Sequence, residues 1–309
     1  MVDLFDWEEQ KAEINLSWSS IEGFEELNKL PKDNNEPEKI LAEWYNVSSE
    51  NIVIVHGAQE GMFLTYLALK PNKVVIPLPS YPPIFEQAQA LGIKIEYSEI
   101  KPKVEKSIIA LANPNNPTGL YLNPDEIVSN NLVIIDEIFK YFIDDKPYFH
   151  DNAIIISGTS KFFAIRGRKV GWIIAKKELA EKIKKIKDLV TPEPLYEKEL
   201  IKYIFKNFDF FKERSINIIK ENMKILYQFS DTRFKIIHNP YMPVALLTKD
   251  ALNSMDFCRK LLKETGVLFT PSKFFGIDGG FRVSLGSKDP SILKESLIRL
   301  KNFSDKFFG

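Results

Sequence analysis

The sequence predicts an α/β fold: a large domain with a mostly parallel sheet sandwiched by helices, and a smaller α+β domain. Three observations carry it. Short β-branched runs recur through the first two-thirds of the chain, helix-like stretches separate several of them, and after about Leu179 the pattern turns to long Lys/Glu-rich helices. With 309 residues, 44% of them hydrophobic, there is enough apolar side chain for one large core or two medium ones.

In order, strands are expected at residues 52–55, 73–77, 93–97, 107–111, 132–135, 153–157 and 170–175, each a continuous apolar run suited to burial on both faces. Helices are expected at 59–69, 83–91 and 124–129, giving the alternation of a parallel sheet. Beyond lie helices at 181–188 and 197–229 and strands at 234–238 and 244–247. A helix at 254–264, strands at 266–271 and 281–285, and a closing helix at 291–307 complete the order. Pro192-Glu193-Pro194 reads as a hinge. Residues 38–190 are assigned to the large domain, and residues 1–37 and 191–309 to the small one.

Charge and composition exclude several functions. Lys+Arg 42 balance Asp+Glu 42, so nothing draws the chain toward nucleic acid or an anionic membrane. Small molecules are the expected partners. Cys258 is the single cysteine and is expected to be an inert buried thiol in a reducing compartment. The acidic start and the lack of a long apolar run predict a cytoplasmic protein with no membrane span.

Three segments carry chemistry. Asn113-Pro114-Asn115-Asn116-Pro117-Thr118-Gly119 follows a strand as a rigid loop rich in amide donors and acceptors. Asp136 ends the apolar run 132–135, where a carboxylate can face a cleft and hold a cation. Ser157-Gly158-Thr159-Ser160-Lys161, followed by Arg166-Gly167-Arg168-Lys169-Val170-Gly171, combines hydroxyls, loop amides and cations, as a phosphate cradle requires. Read singly, each has a plain structural role open to it: an ordinary turn, a capping Asp, a solvated basic turn.

Taken in this order, the three segments resemble the fold-type I, pyridoxal 5′-phosphate (PLP) dependent aminotransferases of class I/II. The nearest branch is that of histidinol-phosphate aminotransferase and threonine-phosphate decarboxylase. Pro79-Ser80-Tyr81, Phe281-Arg282-Val283-Ser284, and Pro271 with Phe275-Gly276 extend the likeness, which runs from about Glu38 to the C-terminus. The resemblance implies that Lys161 forms the internal aldimine and shuttles the Cα proton, while Asp136 keeps the pyridine nitrogen protonated. It implies further that Asn116 bonds the phenolic oxygen, Tyr81 stacks on the ring, and backbone amides of Ala58 and Gln59 bind the phosphate. Arg282 would clamp the substrate carboxylate, with Asn116 also counted among the substrate-binding residues. Transamination between an L-amino acid and a 2-oxo acid, by a homodimer in a ping-pong cycle, is the implied activity.

Three departures qualify the likeness. Phe139 stands where the family carries a tyrosine, which removes a donor to the phenolic oxygen; together with Phe162-Phe163-Ala164-Ile165 this keeps a decarboxylase or lyase resembling threonine-phosphate decarboxylase open. Lys169 stands where the phosphate arginine is expected, with Arg168 one place earlier, so either could bind the phosphate; Lys169 is the positional candidate. Leu30-Pro31-Lys32-Asp33-Asn34 lacks the tyrosine of the family's cross-dimer loop, and residues 14–20 match the substrate loop poorly. No arginine precedes Arg166, so an arginine donated from earlier in a partner chain is not available to grip a dicarboxylate side chain. Trp18, Phe24, Phe162 and Phe163 are candidates for an apolar pocket, with core packing the more usual role. A non-catalytic ligand-sensing protein on this fold is a further alternative.

Overall fold

The computed structural model describes residues 7–8, 10–19, 37–165, 167–190, 198–229 and 231–309. In chain order the first elements are β1 (Ile14–Asn15), α1 (Pro37–Tyr45), β2 (Ile52–Val55), α2 (Ala58–Leu69), β3 (Lys73–Pro77), α3 (Pro82–Ala90) and β4 (Lys94–Ser98). Then come β5 (Ile108–Ala112), α4 (Pro124–Val128), β6 (Leu132–Asp136), α5 (Lys140–Ile143), β7 (Ala153–Gly158), β8 (Gly171–Ile174) and α6 (Lys177–Val190). The rest is α7 (Lys198–Lys206), α8 (Phe208–Tyr227), β9 (Lys235–His238), β10 (Val244–Thr248), α9 (Ser254–Thr265), β11 (Val267–Leu268), β12 (Thr270–Pro271), β13 (Gly280–Ser284) and α10 (Pro290–Phe308).

Seven strands form the main sheet in the order β2-β8-β7-β6-β5-β3-β4, with β8 alone antiparallel to its neighbours. The two-residue period of a strand sends alternate side chains to opposite faces. Val53, Val55, Val74, Ile76, Ile134 and Ile156 pack under α2, α3 and α6. Ile52, Ile54, Val75, Ile135, Ile155 and Trp172 face α1, α7 and α8, in a core continuous with that of the second sheet. Both faces are therefore dry, which is why these runs lack a polar face. The second sheet, β12-β13-β10-β9, is antiparallel and closes against α9 and α10.

Three expectations need correction. Residues 94–98 form an edge strand with one neighbour and an exposed face, not one buried on both sides. The expected helix 197–229 breaks at Asn207, whose amide Nδ2 and backbone N–H both donate to the Tyr203 carbonyl, at 2.8 and 3.0 Å. Residues 266–271 are two short strands, because the chain changes partner at Phe269: β11 pairs parallel with β1, while β12 pairs antiparallel with β13. The expected hinge at 192–194 lies outside the described residues, as do Phe24, residues 30–34 and Arg166.

Candidate active site

The carboxyl ends of β2, β5, β6 and β7 open on one side of the sheet, where ligands of such folds bind. A cavity of about 440 Å³ lies there. Of the residues singled out in the sequence, Ala58, Gln59, Tyr81, Asn116, Asp136, Lys161 and Lys169 all line it. Arg282 reaches it through Asn116.

One end of the cavity is the N-terminus of α2, where backbone N–H groups have no partner within the helix. Glycines let this turn approach the sheet: Gly57 has φ +98°, and a Cβ on Gly171 would meet Gly57 Cα at 2.7 Å. A Cβ on Gly158 would meet the Val170 carbonyl oxygen at 2.8 Å. The Thr159 N–H and hydroxyl both donate to that carbonyl, at 2.9 and 3.2 Å, fixing Ser160 and Lys161 beside Lys169. Lys169 lines the cavity and Arg168 is absent from its wall, whereas the Arg168 carbonyl accepts from the Thr159 hydroxyl at 3.3 Å.

At the cavity floor Asp136 is buried, with Oδ1 accepting the Ile138 N–H at 3.0 Å. Burial pushes its carboxyl up to about 6, against the opposing pull of that N–H and of the Lys161 charge. Lys161 Nζ donates to Ser19 Oγ at 2.8 Å. Burial, then the charges of Glu8 and Asp136, hold the Tyr81 phenol well above its ordinary range. Phe139 is buried in the wall and presents a ring without a hydroxyl.

Within the Asn-Pro loop the three asparagines divide their work. Asn113 exchanges hydrogen bonds with the Leu122 backbone, and Asn115 donates to the Pro79 carbonyl while accepting from Thr118. Asn116 alone turns to the cavity, and its Oδ1 accepts from Arg282 Nη1 at 3.0 Å. Arg282 is buried over the Phe275 ring, 5.0 Å from its centroid, and meets the Glu8 carboxylate at 2.7 Å. Desolvation depresses its pKa, opposed by Glu8.

Sequence reasoning missed Glu8, Ser19 and His56, which also line the cavity. The first two lie on a segment whose strand is two residues long, too short for any periodic signal. Trp18 does line the cavity, whereas Phe162 and Phe163 pack in the core. Cys258 is buried, and burial raises its thiol pKa, as an inert thiol requires. Among the described residues no group of His, Cys, Asp and Glu could hold a metal, and no helix is long and apolar enough to cross a membrane.

These residues fit pyridoxal 5′-phosphate. Asp136 is a buried carboxylate short of positive charge, which a protonated pyridine nitrogen supplies. The glycine-lined turn before α2 leaves helix amides and Lys169 for a phosphate, and Lys161 lines the same cavity.

Residues 20–299 match the family described as Aminotransferase class I and II. The chain is 26% identical to the aspartate aminotransferase of Sulfolobus acidocaldarius, over 84% of this chain and 76% of that one. It is 28% identical to a histidinol-phosphate aminotransferase of Clostridium botulinum, over 81% and 77%. A PLP-dependent aminotransferase structure from Streptococcus suis superposes with a TM-score of 0.86 at 20% identity, covering 98% of this chain and 97% of that one.

Proposed function

Because the chain belongs to the aminotransferase class I and II family, with pyridoxal 5′-phosphate as cofactor, we propose that it transfers an amino group between an L-amino acid and a 2-oxo acid, in two half-reactions on one site. The observation that carries the reading is the pair at neighbouring strand ends, buried Asp136 closing β6 and half-buried Lys161 just past β7, within one cavity. Bound, the cofactor supplies an electron sink for the Cα bond that breaks.

The chain's own residues do the rest. Asp136 would hold a proton on the ring nitrogen, a charge-assisted bond made stronger by burial. Lys161 Nζ would join the cofactor and then carry the proton that leaves Cα, with Ser19 Oγ fixing its position. Residues 57–59 and Lys169 would bind the phosphate, and Tyr81 and Ile138 would hold the ring between them. Arg282 would hold the substrate carboxylate, so the donor keeps that group while losing its Cα proton.

The test is a panel of L-amino acids added to the cofactor-loaded protein, followed by absorbance in single turnover. Conversion to the pyridoxamine form is expected, and Lys161→Ala should slow it by about 10²–10⁴-fold. Carbon dioxide release without that form would replace transamination by decarboxylation. Silence with every donor would favour a ligand-sensing role.

A further inference from the structure

The cation read above as the seat of the substrate carboxylate already holds a carboxylate from its own chain. Glu8 Oε1 accepts from Arg282 Nη2 at 2.7 Å, with both side chains buried. Nη2 also donates to the Ser17 carbonyl at 2.6 Å, with the Thr270 hydroxyl at 3.5 Å. Nη1 donates to Asn116, and Nε has no partner. A guanidinium grips a carboxylate with two parallel N–H groups, end-on through Nη1 and Nη2 or side-on through Nε and Nη2. Both grips use Nη2, which has two hydrogens, and both are engaged.

Glu8 is anchored where it stands. The neighbouring Trp7 is buried, its indole Nε1 donates to the Phe269 carbonyl at 2.8 Å, and its ring lies 5.9 Å from that of Phe274. The Glu8 carbonyl accepts from Asn15 Nδ2 at 2.7 Å, tying it to the strand that pairs with β11. The contact therefore belongs to the fold of the N-terminal segment, and it faces the cavity.

We propose that Glu8 is a specificity-determining residue: it occupies Arg282 as an internal carboxylate, so a donor's own carboxylate binds only by displacing it. The proposal rests on Arg282 being the carboxylate seat. A ligand that needs a fractionally available site binds with its affinity reduced by that fraction. If Glu8 holds Arg282 for about nine-tenths of the time, the apparent Kd of a carboxylate rises about tenfold. An amine whose Cα bears a neutral group in place of the carboxylate carries no such penalty. Glu8 thus tilts the site away from plain α-amino acids and toward donors that either lack the carboxylate or recover the displacement elsewhere.

The experiment uses the cofactor-loaded protein and the Glu8→Gln, Glu8→Ala and Arg282→Gln variants, each checked for its melting temperature. Calorimetric titration with 3-phenylpropionate, an unreactive carboxylate, should give a Kd about tenfold lower in both Glu8 variants and no binding in Arg282→Gln. Alongside, the ratio of kcat/KM for an L-amino acid to that for its 2-amino alcohol should rise about tenfold in Glu8→Gln. If Arg282→Gln abolishes binding but neither Glu8 variant tightens it, Glu8 is not a competitor and the reading of Arg282 stands. If Arg282→Gln binds the probe as the unaltered protein does, the carboxylate seat lies elsewhere and both ideas fall.

Discussion

Phe139 closes the cavity with a phenyl ring 6.1 Å from that of Phe142, and nothing at this position donates a hydrogen bond. A tyrosine hydroxyl here would stabilise a phenolate in the cavity and so weaken that oxygen's hold on a neighbouring proton. Phe139→Tyr is expected to lower the pKa of the lysine–cofactor chromophore by roughly 0.5–1 unit, the worth of one net hydrogen bond. A spectroscopic pH titration showing no change, or a rise, would refute it. Residues of this kind were legible in the sequence because apolar runs mark strand ends: Asp136 closes β6 and Lys161 lies just past β7. Glu8 and Ser19 were not, since their place in the site comes from contacts with Arg282 and Lys161 far along the chain.

At the scale of elements, the approach of α2 to β8 sets the shape of the cavity end proposed for the phosphate. Gly171 opens β8 with a φ outside the left-handed range, so an alanine there meets no backbone penalty, only backbone atoms of residues 57 and 157 at 2.6–2.9 Å. Gly171→Ala should cost about 1–3 kcal/mol of stability by overpacking. It should also weaken cofactor binding about tenfold or more, because the turn bearing the helix amides must move. Gly167→Ala, with open space around the added methyl, should stay within about 0.5 kcal/mol. Urea denaturation and cofactor titration check both; equal behaviour of the two variants would remove Gly171 from this role. Apart from the exposed edge strand β4, the strands of the main sheet were legible to within about a residue because burial on both faces leaves an unbroken apolar run bounded by polar residues. The short strands at 267–271 were not, because a partner change at one residue leaves the local pattern intact.

For the whole molecule, two adjacent buried carboxyls link stability to pH. Burial pushes Glu137 up to about 8, with Lys140 opposing, and Asp136 up to about 6, while Glu137 Oε2 has no hydrogen-bond partner. A carboxyl whose pKa is raised on folding favours the native state when protonated, so its contribution is full below pH about 4 and is lost as pH rises through the folded value. The cofactor-free protein should therefore lose melting temperature between about pH 4 and 8, and Glu137→Gln should flatten that fall, leaving little of it above pH 6. A parallel pair of Tm curves would show that Glu137 has no part in it. On the proposed reading the cofactor would bring a cation to Asp136, so the stabilisation it gives should be larger at pH 8 than at pH 5.

The contact between Glu8 and Arg282 joins residues 274 positions apart, and β1 pairs with β11 across most of the chain. On a ribosome adding about 5–20 residues per second, the strand ends that carry Asp136 and Lys161 emerge long before β11 and β13 do. The segment bearing Glu8 and β1 must therefore wait on the order of tens of seconds for its partners. The strand ends proposed to hold the cofactor are thus made well before the proposed seat for the substrate carboxylate can close.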